Sequence, residues 1–234
     1  MDCVIFGFST SQLKILLIQR DFIDDQGMPA SDHKLPGDYI TTREDLDLAA
    51  ARTLKELTGL ENIFLKPFAI FGKPDRISGK SDLNWMETTT GTEIHRVVTS
   101  AYFSLITISD SDRNFALKNK ASWIDVNHVP ELAFDHREIM EEGLRHLQNA
   151  LRNEPIGFEL LPEKFTIRKL QTLYEVILNC KLDNRNFRKK ILKTKYLVQL
   201  DEKQEGVAHK PAYYYHFDKE KYDKYRKDSL GFNF

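Results

Sequence analysis

Two runs of apolar, β-branched and aromatic residues open the chain, Val4 to Phe8 and Leu13 to Gln19, with the polar Ser9-Thr10-Ser11-Gln12 between them. That pattern predicts a β-hairpin. Residues 21–33 are polar and punctuated by Gly and Pro, which predicts a loop. Leu46, Ala50, Leu54 and Leu57 then recur at helical spacing between Asp45, a good N-cap, and Gly59, so a short amphipathic helix is expected with those four residues as its buried stripe. Ile63 to Phe71 reads as a strand and Gly72 to Thr92 as a long polar connection, of the kind that is usually functional or mobile. Glu93 to Thr107, carrying Val97, Val98, Ala101, Phe103 and Leu105, alternates as a strand buried on at least one face. After Ser122-Trp123-Ile124-Asp125, Pro130 marks a turn. A helix from about His136 to Leu151 follows, with Asp135 as cap and Ile139, Leu144, Leu147 and Leu151 facing a core.

The last third has a different pattern. Thr166 can cap a helix to about Asn179 with Leu170, Leu173, Tyr174, Ile177 and Leu178 inward, and Asp183 can cap a second. Leu182 before that cap and Phe187 inside it form a hydrophobic staple. Two helices joined by so tight a turn are a helix-turn-helix signature. With Phe187, Ile191 and Leu192 inward, Arg185, Asn186, Lys189, Lys190 and Lys193 fall largely on the outer side of the second helix, with Arg188 at the rim. Tyr196 to Leu200 and Ala212 to Phe217 predict a β-hairpin wing, in which His209, Lys210 and the Tyr213 and Tyr214 hydroxyls can meet phosphate and Tyr215 belongs to the core. Lys219 to Lys227 fits a short helix.

Composition changes this picture in one respect. The net charge of −1 over 234 residues hides an asymmetry: residues 1–160 hold 17 Lys and Arg against 25 Asp and Glu (−8), and residues 161–234 hold 17 against 10 (+7). An acidic part joined to a basic part suggests two domains, the second meeting a polyanion. A run of outward cations repels itself, so nucleic acid is a simple rationale for it; a solvated face is the competing one. No apolar run approaches the roughly 18 residues that span a bilayer, and the start of the chain lacks the pattern of a secretory signal. Cys3 and Cys180 have no metal-ligand spacing and fit a reducing cytosol as packing residues.

The stretch from Leu35-Pro36-Gly37-Asp38 to Thr58-Gly59-Leu60 carries the candidate chemistry. It resembles a Nudix box, whose pattern is a glycine, five residues, Glu, seven residues, then Arg-Glu-apolar-x-Glu-Glu-x-Gly-apolar. In that register Glu44, Arg52, Leu54, Glu56, Gly59 and Leu60 match, whereas Asp38 stands at the glycine and Thr53 and Leu57 stand at two helix glutamates. Diphosphate hydrolysis needs Mg²⁺ to neutralise the phosphates and activate water. One carboxylate beside a hydroxyl holds it poorly, so no catalytic residue, metal site or cofactor is expected. A plain capped amphipathic helix is the rival reading.

The run Leu132-Ala133-Phe134-Asp135-His136-x-x-Ile139 makes the resemblance more specific, although His136 alone suits a helix-start or packing role. It continues in Leu160-Leu161-Pro162-Glu163-Lys164-Phe165-Thr166, in Leu182-Asp183-Asn184-Arg185-Asn186-Phe187-Arg188-Lys189-Lys190 and in the His-Lys-Pro-Ala-Tyr-Tyr-Tyr wing. These segments resemble the Nudix-related transcriptional regulators (the NrtR-like family), which include a repressor of NAD metabolism that senses ADP-ribose and repressors of arabinose use. The resemblance implies an α-β-α Nudix-like domain over residues 1–154, a mixed sheet with flanking helices, and a winged helix-turn-helix domain over 155–234. It implies a cytoplasmic, homodimeric repressor whose degenerate Nudix domain binds an effector and modulates operator double-stranded DNA, with no membrane partner. The arabinose-responsive branch is the nearest match. An acidic floor of Asp38, Glu44 and Glu56 suits hydroxyl donors, a neutral and hydroxyl-rich ligand; the resemblance suggests L-arabinose as the effector, with Arg20, Lys34, Asp38, Glu44, Arg52, Glu56 and Tyr102 lining the places where Nudix ligands sit. The residues expected on DNA are Asn184, Arg185, Asn186, Arg188, Lys189, Lys190, Lys193, His209 and Lys210. A hydrolase of a nucleoside diphosphate derivative such as ADP-ribose is the alternative, and a scaffold with an unused pocket is a third reading.

Overall fold

The computed structural model describes residues 1–9, 11–109, 112, 114, 116, 120–153, 158–194, 196–206 and 210–226. The chain forms two compact units, Met1–Leu147 and Gln148–Phe234. In the first, β1 (Asp2–Ser9) and β2 (Gln12–Ile23) pair antiparallel, with Phe6 opposite Ile15. On its other edge β1 runs parallel to β5 (Thr99–Thr107), with Val4 opposite Phe103. β3 (Pro29–Lys34) and β4 (Lys66–Phe71) complete the order β3-β2-β1-β5-β4, and β6 (Ala121–Asp125) also pairs with β2. The sheet is mixed, as expected.

β1 is covered on both faces, which explains its unbroken apolar run. Cys3 and Ile5 join a cluster with Ala49, Ala50 and Leu54 of α1 (Leu46–Thr58). Val4 points the other way, toward Gly143 of α3 (His136–Asn153), where an added Cβ would lie 3.2 Å from its methyl groups. Alternate residues of one strand thus hold helices on opposite faces. Ile139, Met140, Leu147 and Leu151 of α3 are buried and Leu144 is half-buried.

Several sequence expectations are corrected here. The span 21–33 is not a loop: β2 continues to Ile23 and β3 returns from Pro29, around a turn in which Gly27 has φ +79°. β3 lies at an edge of the sheet and shows solvent Ser31, so it carries little apolar signal. Inside the connection 72–92 stands α2 (Lys80–Thr90), with only Met86 buried and hence no apolar stripe to read. The inner face of α1 is Ala49, Ala50, Thr53, Leu54 and Thr58. Leu57 is only partly buried, and Leu46 is 43% exposed. Alanine lets that helix lie close to the sheet, which turns Leu46 outward. Strand β5 begins at Thr99 rather than Glu93. Cys180 is exposed, not packed.

The second unit holds a short 3₁₀ turn (Phe158–Leu160), α4 (Ile167–Leu178), α5 (Asn184–Ile191), the antiparallel pair β7 (Leu197–Lys203) and β8 (Tyr213–Phe217), and α6 (Lys219–Arg226). Its core is aromatic. Phe158 stacks on Phe217 with ring centroids 4.6 Å apart, and Tyr174 meets Phe187 edge-on at 5.5 Å. Phe165 and Tyr215 exchange backbone hydrogen bonds of 2.9 and 2.8 Å, tying the start of α4 to the wing. Among the described residues no helix is long and apolar enough to cross a membrane.

Candidate functional site

The box loop lies against the first strand. The Cys3 amide donates to the Pro36 carbonyl at 2.7 Å, and a Cβ on Gly37 would sit 2.1 Å from Asp2 Oδ1, so only glycine allows this approach. From the loop the chain enters α1, whose N-cap Asp45 accepts from the Leu48 amide and whose end is closed by Gly59 at φ 72°. This frame brings Asp38, Glu44, Arg52 and Glu56 together, and Arg52 dominates the group. Its Nε donates to Glu44 at 2.9 Å, Nη1 to Asp38 at 2.9 Å and Glu56 at 3.0 Å, and Nη2 to Glu44 and the Tyr39 carbonyl at 2.8 Å each. A guanidinium has five N–H donors, and these contacts use all of them. Arg52 hydrogen bonds, then the Thr41 amide, hold the Glu44 carboxyl down at about 2.

The expected acidic floor is therefore an ion-pair knot tying loop to helix. Its carboxylates are engaged by a tethered cation rather than presented to a ligand. The same fact tests the Mg²⁺ that a Nudix box implies. Thr53 is fully buried with no hydrogen-bond partner for its hydroxyl among the described residues, Leu57 offers no donor atom, and Glu56 is paired with Arg52. Mg²⁺ demands near-octahedral oxygen ligands, and these residues do not supply them. Among the described residues no group of three His, Cys, Asp or Glu is placed to hold a metal.

The other expected ligand contacts are also engaged internally. Tyr102 is buried and its hydroxyl donates to Asp47 at 2.8 Å; burial, helped by Asp47, pushes the phenol up to about 12. Lys34 is buried with its ammonium on the Leu35 and Gly37 carbonyls at 3.4 and 3.1 Å. Burial lowers its pKa against the pull of Asp2 and Asp38. Arg20, 3% exposed, donates to both oxygens of Asp32 and to Asp82 on α2, and lies 4.6 Å from the Phe22 ring and 4.7 Å from that of Phe134. It is a core clamp on β2, β3 and α2.

A second buried network was not legible. His136 Nδ1 accepts from the Leu35 amide at 2.9 Å, and its Nε2 faces Asp2 at 3.4 Å. Burial would raise the Asp2 carboxyl, but His136, by charge and hydrogen bonding, and the N-terminal ammonium outweigh this and leave it well below the usual range. Asp135 does not cap α3 with its side chain. Its two oxygens take Arg76 Nε and Nη2 at 2.8 and 2.6 Å. Only the Asp-His pair in the motif hinted at this network, since Asp2 and Arg76 are distant in sequence.

In the second unit, Thr166 caps α4 and Asp183 caps α5, as expected. The turn between them is set by a buried clamp. Glu175 accepts from the Leu182 amide and from Gln171, each at 3.0 Å, while Gln171 also donates to the Leu182 carbonyl and to Asn184 at 2.6 Å. Burial would raise the Glu175 carboxyl, but these donors hold it below its usual value. Phe187 and Ile191 face inward, and Arg185, Asn186, Arg188, Lys189, Lys190 and Lys193 are exposed. Asn184 is the exception among these expected contacts, because its oxygen is held by Gln171 and Arg168. Leu192 is 41% exposed, outside the inward face. Lys210 is exposed beside the wing, whereas His209 lies outside the described residues. Tyr215 is buried, with its hydroxyl on Gln199 at 3.0 Å.

Residues 157–217 match the family described as the NrtR DNA-binding winged helix domain. A repressor of Acinetobacter baylyi, described as an ADPR responsive transcriptional repressor, is 29% identical over 95% of this chain and 83% of its own length. An ADP-ribose pyrophosphatase of Methanocaldococcus jannaschii is 29% identical over 59% of this chain and 70% of its own. The crystal structure of Shewanella oneidensis NrtR with a 27mer DNA has the same fold, with a TM-score of 0.68 and 24% identity over 95% of this chain and 94% of that one. A Nudix-like domain in front of a winged helix matched to the NrtR DNA-binding family gives this chain the two-domain fold of Shewanella oneidensis NrtR.

Proposed function

We propose that the protein is a cytoplasmic transcriptional repressor that binds operator DNA as a homodimer and responds to an ADP-ribose-type effector held by its Nudix-like domain. One observation carries the reading: α5, inside a domain matched to the NrtR winged helix, exposes six neutral or basic polar residues and no carboxylate. Such a face suits the major groove, and one recognition helix covers too few bases to specify a site, which favours a dimer on paired half-sites. The effector class rests on the relative that spans most of this chain and is described as ADPR responsive. L-arabinose, suggested by the resemblance, is withdrawn: Arg52 engages all three carboxylates of the acidic floor, and neither relative named above is described as acting on a free sugar.

Hydrolysis is not part of this reading. The pyrophosphatase relative favours it, but the replacement of two box glutamates by Thr53 and Leu57, with Glu56 held by Arg52, argues against it. The test is fluorescence anisotropy with duplex DNA from upstream of the protein's own gene, with and without ADP-ribose. Binding that rises steeply as salt falls and changes with ADP-ribose is the expected result. No binding to that DNA or to the upstream regions of neighbouring genes would overturn the regulator reading.

A further inference from the structure

Away from the box, the β2–β3 hairpin and α2 line an open cavity of about 710 Å³. Residues 84, 85, 88 and 89 line it, the i, i+1, i+4, i+5 spacing that puts one helix face on a common surface. Two aromatic rings contribute, Phe22 from β2 and Trp85 from α2. Both lie against Arg20, whose guanidinium is 4.6 Å from the Phe22 ring and 5.5 Å from that of Trp85. Asp32 and Asp82 lock Arg20 in turn, so the rings are held before any ligand arrives.

The polar lining decides what fits. Ser31, Asn84 and Thr88 have side chains without hydrogen-bond partners among the described residues. Both lining carboxylates are already engaged: Asp21 takes Lys120 at 2.6 Å and Gln19 at 2.9 Å, and Asp24 takes the amides of Gln26 and Met28 in its own turn. Among the described residues no Lys, Arg or His lines the cavity. A phosphate would meet two carboxylates, with Lys120 already committed to one of them. An aliphatic group would dehydrate the amide and hydroxyls without replacing their hydrogen bonds, which is costly. A flat heterocycle satisfies both demands, since its face stacks on aromatic rings and its edge pairs with an amide that offers donor and acceptor together, as Asn does with adenine. The volume suits a ligand of that class.

We propose that this cavity binds the nucleobase of the effector, stacked against Trp85 and read along its edge by Asn84, with the phosphates directed out of it. The assignment rests on the effector being a nucleotide. Because the chain has two tryptophans, Trp123→Phe leaves Trp85 as the single reporter, and Trp123 Nε1 has no hydrogen-bond partner to lose. Adenosine should quench Trp85 fluorescence saturably in the full chain, inorganic pyrophosphate and L-arabinose should not, and Asn84→Ala should weaken adenosine binding by about tenfold. Calorimetric titration of adenosine into the wild-type protein gives the same answer should the Trp123 variant fold poorly. Absence of adenosine binding, quenching by L-arabinose at equal strength, or an unchanged affinity in Asn84→Ala would each overturn the site. ADP-ribose titrated in parallel separates the two readings. If it alters DNA binding while adenosine does not bind, the nucleobase site falls and the effector class stands. If adenosine binds and ADP-ribose leaves DNA binding unchanged, the site stands and the effector class falls.

Discussion

Arg52 and Glu44 are joined by two hydrogen bonds, Nε to Oε2 at 2.9 Å and Nη2 to Oε1 at 2.8 Å. This fork-on-fork contact is the strong, directional form of an Arg–carboxylate pair. Glu44 ends the box loop and Arg52 lies two turns into α1, so the pair fixes the loop on the helix. The other Arg52 donors draw in Asp38, Glu56 and the Tyr39 carbonyl. A charge that a hydrolytic box would take from a divalent cation is here supplied by the chain.

Acid should undo that contact. The Glu44 carboxyl sits at about 2 in the fold against an ordinary value of 4.5. A depressed folded-state value contributes stability that is complete above the unfolded value and is lost as pH falls toward the folded one. The thermal midpoint should therefore drop between about pH 4.5 and 2. Glu44→Gln should start lower at neutral pH and fall less across that window. Equal slopes in the two proteins would show that Glu44 is not linked to stability in this way.

The box is expected to be hydrolytically silent. With Mg²⁺ or Mn²⁺ present, ADP-ribose, NADH and nucleotide sugars should survive incubation with the protein. Product release at about 1 s⁻¹, the low end of ordinary enzymes, would overturn this. It would mean that a metal can displace Arg52 from Glu44 and Glu56.

Where apolar periodicity and capping agree, as in α4 and α5 with Thr166 and Asp183, the sequence was a sufficient guide to the elements. The same holds for β1 and β2, whose apolar residues are needed on both faces. It failed at α2, where Lys80–Thr90 buries only Met86 and so has no stripe, and at β3, an edge strand with polar residues. The box residues were found by their register, but their roles were not. Whether Asp38, Glu44 and Glu56 face a ligand or an arginine depends on side-chain geometry that spacing alone does not fix. The Asp2–His136 pair illustrates the other limit, because two residues far apart in the chain meet only after the sheet and α3 have packed.

The DNA face should divide into readers and anchors. Arg185→Ala or Lys189→Ala should weaken operator binding by about 1–3 kcal/mol where that side chain reaches a base edge. Lys210→Ala should instead weaken binding to all sequences alike and reduce the salt slope by about one unit. Unchanged affinity in both α5 variants, with circular dichroism intact, would move recognition off this helix.

The turn before α5 should be sensitive although it touches no DNA. Gln171→Leu removes the amide that Glu175, the Leu182 carbonyl and Asn184 share. A buried acceptor left unsatisfied costs about 1–3 kcal/mol. Denaturant unfolding should show a loss of that size, and Asn184→Ala, which leaves the Glu175 contacts in place, should cost less. The reverse ranking would mean that Asn184, not Glu175, sets the turn.

The last expectation concerns how an effector acts on DNA binding. The Leu35 amide at the box loop donates to His136, the first residue of α3. A ligand that moves the loop would therefore disturb the start of that helix. Allosteric coupling usually amounts to about 1–3 kcal/mol, and linkage makes it reciprocal: if ADP-ribose weakens operator binding by some factor, operator DNA must weaken ADP-ribose binding by the same factor. Release of DNA is the expected sign, because a repressor that yields to its effector restores expression. His136→Asn keeps an acceptor for the Leu35 amide, whereas His136→Leu removes it. The first should preserve most of the coupling, and the second should bind both ADP-ribose and DNA with the coupling reduced. Calorimetric titration of ADP-ribose into free protein and into the operator complex measures the factor directly. Equal affinities in the two wild-type titrations would refute the coupling, and equal coupling factors in the two His136 variants would remove this residue from its path.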